Sequence, residues 1–353
     1  MSDRRFVSGR RLSPSQSVDS ASAQAVECPH LSWVLKLTNG ERVMGRPMEP
    51  APISYFRGEY VPTEACTVSI MTHAFNYGTG LFEGIRGYYS ADEDNILVFR
   101  LREHVDRFVR NFNILCMEIP ETAEDIENIC VELVRRSQFR EGVYIRPICY
   151  KNELSLGPTL KGVESSFCCY VIKLGDYCEI EAGLDVAVSS WRRLSDNAIP
   201  SRAKTTGSYI NSSLASTEAK QKGFDEAIFL REDGTVSEGS AMNIFMVQNG
   251  KLITTPPTAD ILVGITRNTV IELAREELGI DVIERAIART ELYVCDELFF
   301  TGTGAQVAPV RSVDRRVLGN GGPGPISKQL QELYFNVVQG NVDKYRHWCT
   351  PVY

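Results

Sequence analysis

The sequence predicts a mixed α/β fold divided into two domains. At 353 residues the chain is long enough for about two domains, each with its own core. From about residue 66, short β-like runs alternate with helical runs, which is typical of mixed α and β structure. A polar stretch interrupted by glycine divides this series. We therefore expect an N-terminal extension over residues 1–45, a smaller α/β domain over 46–174, an interdomain loop over 175–184 and a larger domain over 185–353.

The elements of the first half follow from periodicity. Residues 95–100 are typical of a strand, and the segment after them carries apolar residues at steps of four, three, four and three. This spacing predicts one amphipathic helix. Its stripe consists of Leu101, Val105, Phe108, Phe112 and Leu115. A second helix is expected over 123–137, with strands near 143–151 and 166–174.

The second half is predicted to be rich in strands. A strand over 185–191 leads into a loop, and residues 225–254 are typical of a meander with turns at Asp233-Gly234 and Asn249-Gly250. A helix begins after Gly264 and is expected to end at Gly279. A strand over 297–300 then enters a glycine-rich turn.

The amino-acid composition and net charge limit the kinds of molecule that the protein is expected to bind. Apolar residues at 43% and charged residues at 24% are ordinary for a soluble globular protein. The net charge of −7 argues against nucleic acid or an anionic membrane, and no apolar run is long enough to span a bilayer. The ten cysteines are irregularly spaced, which predicts no metal site and free thiols in a reducing cytoplasm. A small-molecule partner is the expectation.

Residues 1–27 differ from the rest of the chain. They are rich in arginine and serine, and they contain too few large apolar residues to form a core. Asp3 and Asp19 argue against an organellar transit peptide. We therefore expect a disordered tail here and a cytoplasmic location.

Lys204 is the candidate nucleophile. It lies in the stretch Ser-Arg-Ala-Lys-Thr-Thr-Gly-Ser-Tyr-Ile-Asn at 201–211, among small uncharged neighbours and five residues before Tyr209. A lysine that forms a Schiff base needs a site where its amine can lose a proton and where the backbone can approach a ring closely. The alternative is an ordinary solvated lysine on a loop.

Other segments could bind an anion. The helix start at Ile265 and Thr266 presents unpaired N–H groups, and the Thr-Gly-Thr-Gly-Ala turn at 301–305 offers more. Arg107 could reach inward to a phosphate, or it could lie over the core as a surface arginine. Glu238 would need a cationic partner if it were buried.

Together these groups fit one ligand, pyridoxal 5'-phosphate. The lysine would form the imine, the tyrosine would bind the ring hydroxyl, and the carboxylate would keep the ring nitrogen protonated. The arginine, the threonines and the helix start would hold the phosphate.

The chain also resembles a known family, the fold-type IV pyridoxal-phosphate enzymes, and within it the branched-chain amino acid aminotransferases. The resemblance covers about residues 50–353 and rests on seven segments in order. They are Tyr-Gly-Thr-Gly-Leu-Phe-Glu-Gly-Ile-Arg at 77–86, Arg-Glu-His-Val-Asp-Arg at 102–107, Tyr-Ile-Arg-Pro at 144–147, the lysine loop, Ser-Glu-Gly-Ser-Ala-Met-Asn at 237–243, Gly-Ile-Thr-Arg at 264–267 and Thr-Gly-Thr-Gly-Ala at 301–305.

The resemblance implies roles for individual residues and a cofactor at the domain interface. Lys204 would carry the cofactor, with Tyr209 at the ring hydroxyl and Glu238 at the ring nitrogen. The phosphate would be bound by Arg107, Ile265, Thr266 and Thr303. The substrate α-carboxylate would meet Tyr144 and the N–H groups of Gly304 and Ala305, Arg146 would receive the distal carboxylate of glutamate, and Phe82, Tyr77 and Tyr177 would line an apolar pocket.

The activity implied is transamination of leucine, isoleucine and valine with 2-oxoglutarate, by a protein that is at least a homodimer. Leu174 stands where an interdomain tryptophan is often found, which puts the shape of the side-chain pocket in doubt. D-amino acid aminotransferase, (R)-amine transaminase and aminodeoxychorismate lyase share the fold and stay as alternatives. A catalytically silent binding or regulatory protein is a further one, although such a protein has no chemical need for Lys204, Tyr209 and Glu238 together.

Overall fold

The computed structural model describes residues 49–175 and 182–353. The predicted N-terminal extension and Tyr177 lie outside these ranges. The elements of the first half are strands and three helices. They are β1 (Ile53–Phe56), β2 (Glu59–Pro62), α1 (His73–Tyr77), β3 (Gly80–Phe82), β4 (Ile85–Ser90), β5 (Asn95–Phe99), α2 (Leu101–Leu115), α3 (Ala123–Ser137), β6 (Val143–Lys151) and β7 (Ser165–Lys173).

The remaining elements alternate strands with three more helices. They are β8 (Leu184–Arg192), α4 (Tyr209–Gln221), β9 (Glu226–Leu230), β10 (Val236–Gly239), β11 (Asn243–Gln248), β12 (Lys251–Thr254), α5 (Ile265–Glu276), β13 (Val282–Glu284), β14 (Glu297–Gly302), β15 (Gln306–Val313), β16 (Arg316–Val317), α6 (Pro325–Val338) and β17 (Cys349–Pro351). Within the two described ranges, no helix is long and apolar enough to cross a membrane.

The described strands form two sheets. The first has the order β17-β5-β4-β6-β7-β1-β2, with β3 also paired to β6. The second has the order β10-β9-β8-β15-β14-β11-β12-β13, with β16 on β15. Strand β8 runs parallel to both of its neighbours in this sheet, β9 and β15. Helix α4 provides the crossover that a parallel β8–β9 pair requires.

The amphipathic helix predicted from residue 101 is confirmed as α2. Its apolar stripe is buried against the first sheet and α3, with Val105 and Phe108 almost fully inaccessible. Helix α3 begins with a capping box, in which Thr122 and Asp125 each bind the other's backbone N–H. These helices form because their apolar residues repeat about every 3.6 positions, so that one face of each helix can be buried in the core.

The predicted meander over 225–254 is wrong in its connectivity. Both predicted hairpin turns are present, one joining β9 to β10 and the other joining β11 to β12. The two hairpins are separated in the sheet, because β8, β15 and β14 lie between β9 and β11. The helix expected to end at Gly279 ends at Glu276, and Gly279 adopts the left-handed conformation three residues later.

Candidate active site

The loop that carries Lys204 is held by the backbone of β3. The carbonyl oxygen of Lys204 accepts a hydrogen bond of 3.0 Å from the N–H of Phe82, and Thr206 N–H donates to Gly80 over 2.8 Å. Gly78 and Gly207 make this approach possible. Gly78 has a φ of +66°, and a Cβ there would lie 2.7 Å from the Cα of Gly207. The loop of the second half is therefore fixed to the first sheet.

The amine of Lys204 lies beside two aromatic rings that contact each other. Its Nζ donates a hydrogen bond of 2.6 Å to the hydroxyl of Tyr209, the first residue of α4. The same Nζ is 5.1 Å from the centre of the Phe82 ring, and the Phe82 and Tyr209 rings are 4.9 Å apart. The structure thus brings together three residues that the sequence predicted for one site.

Glu238 is buried in β10 and held by both of its oxygens. Arg193 Nη2 lies 2.8 Å from Oε1, and Asn243 Nδ2 donates to Oε2 over 2.9 Å. Burial raises the pKa of Glu238, and the charge of Arg193 opposes this rise. The cationic partner that a buried carboxylate needs is therefore Arg193, which the sequence prediction missed. The only sequence signal is a charged pair, Arg192-Arg193, at the end of a strand.

Arg107 is buried and paired with a carboxylate. Its Nε and Nη2 donate to the two oxygens of Glu83, each over 2.7 Å, and its Nη1 donates over 2.7 Å to the carbonyl of Val263. His104 Nδ1 lies 2.9 Å from Glu83 Oε2. Glu83 lies within the quoted Phe-Glu-Gly motif, but it was not predicted as a site residue. It fixes Arg107 beside the segment that precedes α5.

The contacts among Glu83, His104 and Arg107 favour the ionised form of the Glu83 carboxylate. Burial by itself would raise the pKa of Glu83, but Arg107 and the hydrogen bond from His104 outweigh burial and hold the pKa below its usual range. Burial lowers the pKa of His104, and Glu83 opposes that shift only in part. Both groups therefore bind protons less readily in the folded than in the unfolded protein.

We expect the folded state to lose stability as the pH falls. Because the pKa values of Glu83 and His104 are lower in the folded state, their contributions are complete above the unfolded values of about 6.5 for histidine and about 4.3 for glutamate. These contributions decrease as the pH falls below those values. Urea unfolding at a series of pH values between about 7.5 and 4 measures this change. A urea midpoint that stayed constant or rose on acidification would contradict it.

The start of α5 and a nearby turn supply further donors. Gly264 precedes the helix without a side-chain cap, so the N–H groups of Ile265 and Thr266 are free of intrahelical partners. Thr303 lies in the turn between β14 and β15, and Thr266 and Ala305 are buried. These are the kinds of donor, backbone N–H groups and hydroxyls, that the sequence predicted for anion binding.

Arg86 organises the same turn and was missed by the sequence prediction. Its Nη1 donates to the carbonyl of Gly304 over 3.1 Å, and its Nη2 donates to the carbonyl of Gly175 over 3.0 Å. Because a peptide group is planar and trans, binding the Gly304 carbonyl also orients the N–H of Ala305 away from Arg86. The single charged residue of β4, which is buried with the strand, is the signal that could have identified it.

Tyr144 and Arg146 lie on one face of β6, two residues apart. Arg146 Nη2 donates to the Tyr144 hydroxyl over 2.7 Å, and its guanidinium carbon is 4.4 Å from the centre of the Phe82 ring. Its Nε is buried and has no hydrogen-bond partner among the described residues. Tyr144 packs on Gly84, where a Cβ would overlap its hydroxyl. Phe82 and Arg146 therefore form one wall of the site, which combines an apolar ring with an available cationic donor.

Tyr77 and Tyr177 are the two remaining residues that were predicted to line the apolar pocket. Tyr77 ends α1, is 39% exposed and accepts a hydrogen bond of 3.1 Å from the N–H of Gly157, while its ring contacts His73. The structure thus places Tyr77 against the loop at Gly157. Tyr177 lies outside the described residues.

The residues present fit pyridoxal phosphate. Arg107 uses three of its five N–H groups within the protein, which leaves two for a phosphate beside the start of α5. Glu238 places a carboxyl group, paired with Arg193, at the end of a buried network, which suits a protonated ring nitrogen. Lys204 presents its amine next to a phenol, and its charge acts on Glu238.

Fold and site define a pyridoxal-phosphate aminotransferase, and comparison with known proteins agrees. Residues 80–313 match the class IV amino-transferase family, so the chain belongs to that family. Within the family, a probable branched-chain-amino-acid aminotransferase of Aquifex aeolicus is 49% identical over 300 residues, which cover 85% of this chain and 96% of the relative.

Solved structures give the same result. A branched-chain aminotransferase from Thermoproteus uzoniensis with norvaline has 42% sequence identity and a TM-score of 0.82, covering 87% of this chain and 100% of the other. A second one, the T.th. branched-chain aminotransferase complexed with N-(5'-phosphopyridoxyl)-L-glutamate, has 38% identity and a TM-score of 0.82, with coverage of 86% and 99%. The T.th. protein has also been solved with 4-methylvaleric acid, and the match covers the same shares of both chains.

Proposed function

We propose that the protein transfers the amino group of leucine, isoleucine and valine to 2-oxoglutarate with pyridoxal phosphate as its cofactor. The observation that carries this proposal is the wall formed by Phe82 and Arg146. An apolar ring suits a branched aliphatic side chain, and the unpartnered Nε of Arg146 suits the distal carboxylate of glutamate. The T.th. relative binds compounds of both kinds.

Each residue then has a defined task. The bound cofactor supplies a conjugated ring that accepts the electron pair left when the substrate loses its α-proton. Lys204 would hold the aldehyde carbon of the cofactor through its amine, with the aldehyde oxygen lost as water. When the substrate amino group takes its place, the freed amine would remove the α-proton as a general base and deliver it to that cofactor carbon. Tyr209 holds the amine in place through the 2.6 Å hydrogen bond. Glu238 keeps a proton on the ring nitrogen, and Arg107 with the start of α5 binds the phosphate.

The test is a substrate panel with the cofactor-loaded protein. We expect 2-oxo acid and glutamate to form from L-leucine, L-isoleucine and L-valine with 2-oxoglutarate. Conversion of D-amino acids or (R)-amines instead would favour the other transaminases of this fold. If the purified protein retained no cofactor absorbance and converted no substrate, the silent binding protein would be the better assignment.

Replacing Arg146 by alanine is expected to damage one half-reaction more than the other. The loss of a charged hydrogen bond to the distal carboxylate should lower kcat/KM for 2-oxoglutarate by about 10- to 100-fold. Leucine has no distal carboxylate, so its half-reaction should change by less than about threefold. Single-turnover measurements of both half-reactions provide the test. Arg140→Ala, at an exposed arginine, is the matched control, and equal losses in both half-reactions for Arg146→Ala would refute the assignment.

The oligomeric state and location are proposals of the same kind. We propose a homodimer or a higher homo-oligomer, supported by a group of exposed apolar side chains on α1, the segment before it and a nearby loop. They are Ile70, Met71, Phe75, Leu154 and Leu156. Light scattering should give about twice the chain mass of 39.4 kDa or a higher multiple of it, and the mass of a single chain would contradict the proposal. We also propose a cytoplasmic location, which cell fractionation tests.

The division into two domains also remains a proposal. It is supported by the sheets, because β1 to β7 lie within residues 46–174 and β8 to β16 lie within 185–353 apart from Leu184. Strand β17 crosses this division and pairs with β5. Limited proteolysis that cleaved first within 175–184 would support the boundary.

A further inference from the structure

Two side chains from different elements hold the carboxylate of Glu238. Arg193, directly after β8, reaches Oε1 over 2.8 Å, while Asn243, the first residue of β11, reaches Oε2 over 2.9 Å. Glu238 and Asn243 are each at most 4% exposed. The carboxylate plane is therefore fixed on both sides, and water has little access to it.

Both partners are themselves anchored. Arg193 Nε donates to the carbonyl of Asp260 over 3.2 Å, and Asn243 Nδ2 also donates to the carbonyl of Leu262 over 2.8 Å. The guanidinium of Arg193 also lies 5.6 Å from the centre of the Phe229 ring. An anchored donor imposes its position on the group that it binds, so the direction of the carboxylate is set by the second sheet.

The two partners differ in charge, and this difference assigns them different tasks. Asn243 can orient the carboxylate, but it cannot compensate its charge. Arg193 compensates the charge within hydrogen-bond distance, and the more distant cations that act on Glu238 are Lys204 and Arg267. A buried carboxyl group without such a cation takes up a proton, as the pKa of Glu238, raised by burial, already indicates.

We propose that Arg193 is a positioning residue that keeps Glu238 ionised and directed at the ring nitrogen of the cofactor. Arg193 acts through Glu238 and has no need to touch the cofactor or the substrate. The inference rests on the proposed function, since it takes pyridoxal phosphate as the ligand. It predicts that loss of Arg193 weakens one specific interaction, the one made with the ring nitrogen.

The test compares two ligands that differ at one ring atom. Apoprotein is titrated with pyridoxal phosphate and with its analogue in which a C–H group replaces the ring nitrogen, and binding is measured by equilibrium dialysis. For Arg193→Met we expect the affinity for pyridoxal phosphate to fall about tenfold and the affinity for the analogue to change by less than about twofold. Arg193→Lys should restore most of the loss, because it returns the charge.

Three further variants make the comparison specific. Arg192→Met, at the exposed neighbouring arginine, should bind both ligands as the wild type does. Arg193→Gln, which keeps hydrogen-bonding capacity without charge, should behave like Arg193→Met. Glu238→Gln should show the same selective loss, and the double variant Arg193→Met/Glu238→Gln should lose no more than either single variant.

The outcomes separate this inference from the function on which it rests. If Arg193→Met weakened both ligands equally, Arg193 would have a general structural role and the inference would be overturned while the function stood. Additive losses in the double variant would overturn it in the same way. Wild-type protein that bound neither ligand would overturn the proposed function and the inference together.

Discussion

Replacing Lys204 by alanine is expected to lower the transamination rate by at least about 10³-fold. General acid and base catalysis alone contributes about 10²- to 10⁴-fold, and the proposed function also requires Lys204 to hold the aldehyde carbon of the cofactor. The loop around it is held by backbone contacts, namely Lys204 O with Phe82 N and Thr206 N with Gly80 O, so removal of the side chain leaves these contacts in place. Steady-state assays with L-leucine and 2-oxoglutarate measure the loss.

The control is Lys220→Ala, at an exposed lysine on the neighbouring helix α4, which should retain full activity. Lys204→Ala should still unfold at a urea midpoint close to that of the wild type, because the side chain is only partly buried. If the variant kept more than about a tenth of the activity while remaining folded, another group would have to be the base.

Replacing Glu83 by glutamine is expected to destabilise the folded protein by about 3–5 kcal/mol, because it leaves the guanidinium of Arg107 buried without a counter-charge. In the wild type, Arg107 makes two hydrogen bonds of 2.7 Å to Glu83, and Glu83 is only 1% exposed. Urea unfolding of the apoprotein at neutral pH measures the difference in free energy.

Glu132→Gln provides the matched comparison. Glu132 forms its ion pairs on the surface of α3, with Arg135 and Arg136, whose side chains are 50% and 42% exposed. Solvent screening should keep its effect below about 1 kcal/mol. Similar losses for the two variants would mean that burial does not govern the strength of the Glu83–Arg107 pair.

Local patterns in the sequence predict single helices and hairpins, and they also indicate which residues are candidates for the site. The stripe from Leu101 to Leu115 encodes α2 because a helix repeats every 3.6 residues, and both glycine turns encode their hairpins because each needs a positive φ. Lys204, Tyr209 and Glu238 could be predicted as site residues because each supplies a functional group that the cofactor needs. Each of these signals is contained in a short segment of the sequence.

Strand order and the supporting residues depend on distant segments. The pairing of β8 with β15 joins residues more than a hundred positions apart, and local periodicity does not encode such a pairing. The same is true of the partners of the site. Arg193 reaches Glu238, and Arg86 reaches Gly304, only once the sheets have formed. Candidate site residues are therefore easier to predict from the sequence than the distant residues that fix their positions.

The attachment of the Lys204 loop to β3, together with the bond from Arg107 on α2 to Val263, has a thermodynamic consequence. A ligand that binds Arg107, Lys204 and the start of α5 at once joins the two sheets as a reversible cross-link. Such a ligand binds the folded chain and not the unfolded one, so each tenfold rise in its free concentration above Kd adds about 1.4 kcal/mol to the free energy of unfolding. Cofactor supply would then govern resistance of the protein to proteolysis as well as its catalytic rate.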